Sequence, residues 1–141
     1  MFNNLPLRSL AMALGIGTTA FGIAPVLAPH AFGKLFGLPI DQTPAADIAM
    51  RSVGARDAIN GIGILSATMH NGKVAPWILA RAVADGTDTI GVGVAMLQGA
   101  GNPRLALLGG LALAATIVDV VLYLGFKSAA PLTTSQEANP S

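Results

Sequence analysis

The octet Arg81-Ala-Val-Ala-Asp85-Gly-Thr-Asp88 stands in the middle of an apolar segment, and it restricts what the chain can become. On an α-helix Arg81, Asp85 and Asp88 fall at i, i+4 and i+7, so they share one stripe, with Trp77 one turn earlier. The flanks, Ala75 to Leu79 and Ile90 to Leu97, have the composition of a bilayer span. A charge at the centre of such a helix costs about 2.5–3.5 kcal/mol even on lenient scales. The stripe is therefore expected to face protein, and each charge to find a partner on another helix.

Composition agrees with that reading. The chain has 141 residues, enough for one domain, and only 11% are charged, well below the roughly 25% of soluble domains. Its 17 glycines suit close helix packing in lipid. A net charge of +1 gives no basic face for nucleic acid. With no cysteine there is neither a disulfide framework nor a thiolate nucleophile. His30 and His70 match no metal-ligand spacing, so neither a metal nor a cofactor is expected.

The fold class expected is all-α: a four-helix transmembrane bundle over residues 1–127, followed by a disordered polar tail at 128–141. Helix 1 is placed at 9–28, with Gly15, Gly17 and Gly22 inside it. Arg8, the apolar run and Val26-Leu-Ala28 also imitate a cleaved secretory signal peptide. The membrane-like segment that follows favours retention. Gly15-Ile-Gly17 lacks the strand and βαβ setting of a dinucleotide fingerprint and is rejected as one. His30, Phe32, Lys34, Leu35 and Phe36 fit either a short interfacial helix or a surface loop.

Helix 2 is placed at 44–69, opened by the capping pair Thr43-Pro44. It carries Arg56, Asp57 and Asn60 on or beside one face, and Gly54 with Ala58 as a small-residue pair. Helix 3 covers 75–98 and holds the opening stripe. Helix 4 covers 104–126, and Asp119 is its one internal charge, on a face with Thr116 and Tyr123. Counted from the end that carries the termini, Arg81 and Asp119 lie about 10 Å deep. Asn60 and Asp85 follow at about 15 Å, and Arg56, Asp57 and Asp88 at about 20 Å. This predicts an Arg81–Asp119 layer and an Arg56–Asp88 layer, with Asp57, Asn60 and Asp85 between or beside them. Arg8, Lys73, Lys127 and the free amine fall at the terminal side, against Lys34 and Arg104 opposite with Arg51 just inside, a small excess that leans towards a cell-membrane protein with cytoplasmic termini.

Gly54-Ala-Arg56-Asp57-Ala-Ile-Asn-Gly61, followed by Arg81 and the later Asp119, resembles a family of small four-helix membrane proteins of bacteria and fungi, classed as a domain of unknown function. The resemblance spans roughly helices 2 to 4. It implies the four-helix membrane architecture and a functional role for Arg56 and Asp57, and it supplies no reaction.

Read as chemistry, Arg56, Asp57, Arg81, Asp85, Asp88 and Asp119 are the candidate catalytic residues, with Asn60, Trp77 and Tyr123 as candidate substrate contacts. Four carboxylates outnumber two guanidinium groups, which leaves one or two able to carry a proton. An arginine between two aspartates is similar to the site of the limonene-epoxide-hydrolase type, where one carboxylate activates water and the other acid protonates the epoxide. Asp88, Arg56 and Asp57, or Asp85, Arg81 and Asp119, would supply such a set. The sequence motif of that soluble family is absent, so the likeness is one of sites alone.

Three readings result. The first is a membrane-embedded acid–base enzyme acting on a lipophilic small molecule, as an epoxide hydrolase or isomerase; it requires a pocket at the charged layers. The second is a proton-coupled transporter, working as a homo-oligomer, with a polar track across the bilayer. The third is an assembly subunit whose ion pairs only hold the helices together, with no hollow. The purely structural alternatives are that Asp85 simply neutralises Arg81 within one helix, and that Arg56 and Asp57 fix helix register. For Trp77 and Tyr123 the plain alternative is packing.

Overall fold

The computed structural model describes residues 5–38 and 43–129, and among them it contains helices and no strand. In chain order these are α1 (Leu5–Leu27), α2 (Pro29–Phe36), α3 (Pro44–Met69), α4 (Ala75–Ala95), a π-helical turn at Met96–Ala100, and α5 (Pro103–Ala129). The all-α expectation holds. The segment from Pro29 to Phe36 is the short helix α2 rather than a loop.

Local chemistry explains the boundaries. Pro29 pushes the preceding residue out of the helical region, and Ala28 sits at φ -136°, ψ 63°, which separates α1 from α2. Gly37 ends α2 in the left-handed region at φ 65°. The Thr43 hydroxyl accepts from the Ala46 amide at 3.2 Å and starts α3 where its capping pair predicts.

The boundaries of three expected helices are corrected. Helix α1 begins at Leu5, not residue 9, because Arg8 joins it by donating to Thr68 O and Asn71 Oδ1. Helix α4 leaves α geometry after Ala95, not residue 98, as the chain approaches Gly99 at φ 89°. Helix α5 begins at Pro103, since Asn102 Oδ1 caps it by accepting from the Arg104 and Leu105 amides at 3.0 and 2.9 Å. It runs on to Ala129, with Ser128 bonded back to Leu124 O, so the helix takes the first two residues assigned to the tail. The rest of that tail lies outside the described residues.

Of the four expected spans, two meet the length and composition of a bilayer crossing, at Pro6–Leu27 and Pro103–Ala129. The charges of α3 (Asp47, Arg51, Arg56, Asp57) and of α4 (Arg81, Asp85, Asp88) make those two helices more polar. The packing is uneven as well. Helix α1 lies antiparallel along α3 and α4 antiparallel along α5, while the two pairs touch each other sparingly.

Glycine sets the first pairing: a Cβ on Gly54 would lie 2.5 Å from Gly22 O, and one on Gly61 would lie 2.8 Å from Gly15 O. The pairs close on each other at the end where α1 starts and α5 finishes. There Ala11, Ile64, Val74, Ile78 and Leu122 form a buried apolar plug. At the other end α2 stands between them. Phe32 and Phe36 pack on Phe21, with ring centroids 5.2 and 6.1 Å away. His30 Nε2 lies 3.1 Å from Asp47 Oδ1 of α3. Asn102 Nδ2 donates to Gly37 O at 3.0 Å, which ties the end of α2 to the start of α5.

Candidate functional site

The charged side chains lie immediately above the apolar plug, in two layers. Ile78, Ile64 and Leu122 belong to the plug. Arg81, Asn60 and Asp119 stand about one helical turn further along the same three helices. In the first layer Arg81 donates to Asp119, whose side chain is fully buried at 0% exposure. Arg81 Nη2 also lies 3.1 Å from Asp85 Oδ2, without the alignment of a hydrogen bond.

In the second layer Arg56 grips Asp88 with both terminal nitrogens, Nη1 to Oδ1 at 3.2 Å and Nη2 to Oδ2 at 2.7 Å. Its Nε donates to Asp57 Oδ1 at 3.0 Å. One guanidinium thus bridges two carboxylates from different helices. The two cross-helix pairs are those the depth argument predicts. The arrangement follows from sequence because opposite charges at equal height on antiparallel helices have no better partner in an apolar interior.

Beyond the layers the separation of the two helix pairs leaves a cavity of about 710 Å³. Every helix contributes to its wall: Thr18 and Phe21 from α1, Phe32 from α2, Val53 and Asp57 from α3, Asp88 and Val92 from α4, Leu108 and Ala112 from α5. Most of the lining is apolar, and the charge is supplied by Asp57, Arg81, Asp85 and Asp88. A mainly apolar hollow with a few convergent polar groups is the usual form of a small-molecule site.

The structure does not bring every candidate residue to this hollow. Asp119 is sealed behind Arg81, and Arg56 reaches the cavity wall only through the two aspartates it holds. Asn60 is buried and is not part of the lining. Trp77 lies flat in the notch left by Gly63, beside a separate hollow of about 440 Å³ at the α3–α4 turn. Tyr123 packs against the plug under Lys127, whose Nζ is 5.8 Å from the ring centroid. Both aromatic residues thus take the packing role. Sequence reasoning passed over Thr18, Phe21, Phe32 and Leu108 as cavity residues. The one available signal was Thr18, part of the only polar pair within α1 beyond Ser9.

The molecule is thus an all-helical protein with two bilayer-length apolar helices and two guanidinium–carboxylate layers, the first buried and the second partly exposed, beneath a mainly apolar cavity. Residues 15–130 match the family described as Domain of unknown function (DUF4267), and the chain belongs to that family. Gly54, Arg56, Asp57, Arg81 and Asp119 all fall inside the matched span. No curated protein and no solved structure matches the chain.

Proposed function

We propose that this chain is a multi-pass membrane protein, one domain over residues 1–127, whose cavity takes a lipophilic small molecule for acid–base chemistry at Asp57, Arg56 and Asp88. Epoxide opening or isomerisation is the specific form of the reaction. The observation that carries it is the bridged pair: two carboxylates held by one guanidinium, both facing a mainly apolar hollow.

The outer surface supports placement of α3 and α4 in lipid beside α1 and α5. Ile59 and Ile62 on α3, and Leu79, Val83 and Ile90 on α4, are exposed. The charges at their centres turn inward instead. A 26-residue helix is about 39 Å long, enough to span. Four crossings put both ends of the domain on one side. A small excess of Lys and Arg there favours the cytoplasm for that side.

In hydrolysis one aspartate takes a proton from water as the water oxygen attacks an epoxide carbon. The other aspartate, as the acid, gives its proton to the ring oxygen as the C–O bond breaks, and a diol results. In isomerisation the base takes a proton from the carbon beside the ring, a C=C bond forms and the same acid protonates the leaving oxygen. Arg56 keeps the two carboxyl groups at fixed separation in both cases.

The apolar plug weighs against the transporter reading, since it interrupts any polar track towards the terminal side. The cavity weighs against a purely structural role, which has no use for a hollow.

Purified protein in detergent, incubated with terpenoid and fatty-acid epoxides in oxygen-18 water, tests the reaction. The expected product is a diol with one labelled oxygen, or an unlabelled allylic alcohol. Asp88→Asn and Asp57→Asn are each expected to lower turnover by about 100-fold or more while the protein still accumulates. A wild-type protein inert across a broad panel contradicts the enzymatic reading.

A further inference from the structure

Hydroxyl groups inside these helices follow one habit. Thr19, Thr68, Thr87, Thr89 and Thr116 each donate to the carbonyl four residues earlier, at 2.7 to 2.8 Å. Thr43 accepts from Ala46 as a cap. Thr18 is the exception among the described threonines. It is 6% exposed and borders the cavity, while its Oγ1 is enclosed out of reach of water and meets no hydrogen-bonding group of the protein.

A buried hydroxyl without a partner is destabilising, and native interiors keep few of them. Back-bonding is open to it on geometry, as its neighbour Thr19 does so to Gly15 O at 2.7 Å. Thr18 lies on α1 and Asp85 on α4, and both belong to the wall of one hollow; Asp85 Oδ2, unlike Thr18, has a charged partner, Arg81 at 3.1 Å. Around and beyond them the wall is apolar, through Phe21, Phe32 and Leu108.

We infer that Thr18 is a ligand-binding residue that turns about χ1 to bring its enclosed hydroxyl to the hollow and donates its proton to an oxygen of the bound molecule. The ligand class is then a neutral oxygenated lipophile, an epoxide, ketone or alcohol, rather than a plain hydrocarbon. Its oxygen sits at the charged end of the hollow, and its hydrocarbon body runs between Phe21, Phe32 and Leu108. A cavity of about 710 Å³ is in the range that holds molecules of drug size, which suits a C10 to C20 skeleton. This inference rests on the proposed small-molecule site and adds to it which end of the ligand goes where. It requires no turnover.

The test is binding, read by displacement of a fluorescent lipophile, with a C15 isoprenoid epoxide and its parent alkene as probes. Wild-type protein is expected to prefer the epoxide. Thr18→Val keeps the shape and removes the hydroxyl; it is expected to weaken epoxide binding by about tenfold, leave alkene binding unchanged and raise the Tm of the free protein. Thr18→Ser is expected to retain the preference. Equal epoxide binding by wild type and Thr18→Val overturns the role of Thr18 and leaves the cavity reading standing. Failure of wild type to bind either probe overturns both. A Thr18→Val protein that fails to accumulate, or melts lower, also overturns the inference, because it makes the hydroxyl structural.

Discussion

Asp119→Ala will lower the stability of the protein by about 3–5 kcal/mol, the usual cost of breaking a buried ion pair from one side. Asp119 is completely enclosed and receives the Arg81 guanidinium, so its removal leaves that charge leaning on Asp85 alone. Asp119 is not part of the cavity wall, so the loss is one of fold and not of ligand contact. The triple variant Arg81→Met/Asp85→Asn/Asp119→Leu removes all three charges of the layer and fills their volume, and it is expected to accumulate again. Thermal melting of detergent-solubilised protein measures both. An Asp119→Ala protein as stable as wild type would mean that the first layer holds nothing together.

The second large effect is at the crossing of α1 and α3. A Cβ on Gly54 would sit 2.5 Å from Gly22 O and 2.7 Å from Pro25 Cγ, closer than real Cβ contacts come. Gly54→Ala must therefore part the helices along their main contact, and Gly54→Leu more so, at about 1–3 kcal/mol or above. Helix propensity works the other way, favouring alanine over glycine by about 0.8–1.0 kcal/mol. Gly93→Ala isolates that term, because a Cβ there meets nothing within 4 Å. The expected order of melting temperatures is Gly93→Ala at or above wild type, then Gly54→Ala, then Gly54→Leu. Gly54→Ala melting with Gly93→Ala would contradict the close crossing.

Much of this was legible in the sequence because it depends on local chemistry or simple counting. Thr43-Pro44 carries its own helix start, and Gly54 and Ala58 mark a thin face at a spacing any helix preserves. The ion-pair layers were readable because charges in an apolar interior must pair, and antiparallel rods convert residue number into height. What was not legible depends on tertiary contacts. The gap between the helix pairs exists because α2 is pinned there by Phe21, by Asp47 and by Asn102, three partners distant from each other in sequence. Trp77 shares a stripe with the charges, yet Gly63 on α3 offers it a flat notch at the opposite end from the cavity. Helix α4 ends before residue 98 because the π-helical stretch ahead of Gly99 already belongs to the departure from α geometry, a change that the apolar pattern of Met96 and Leu97 does not mark.

The site's central claim is that a lipophile lodges between the two helix pairs, against the bridged aspartates. Photolabelling with a C15 isoprenoid epoxide that bears an alkyl diazirine, followed by peptide mapping, tests it most directly. The account predicts label on Phe32, Leu108, Ala112 and Ala115, abolished by excess of the plain epoxide. Label spread over the outward-facing Ile16, Ile59, Val83 and Ile117, and indifferent to competitor, would contradict it.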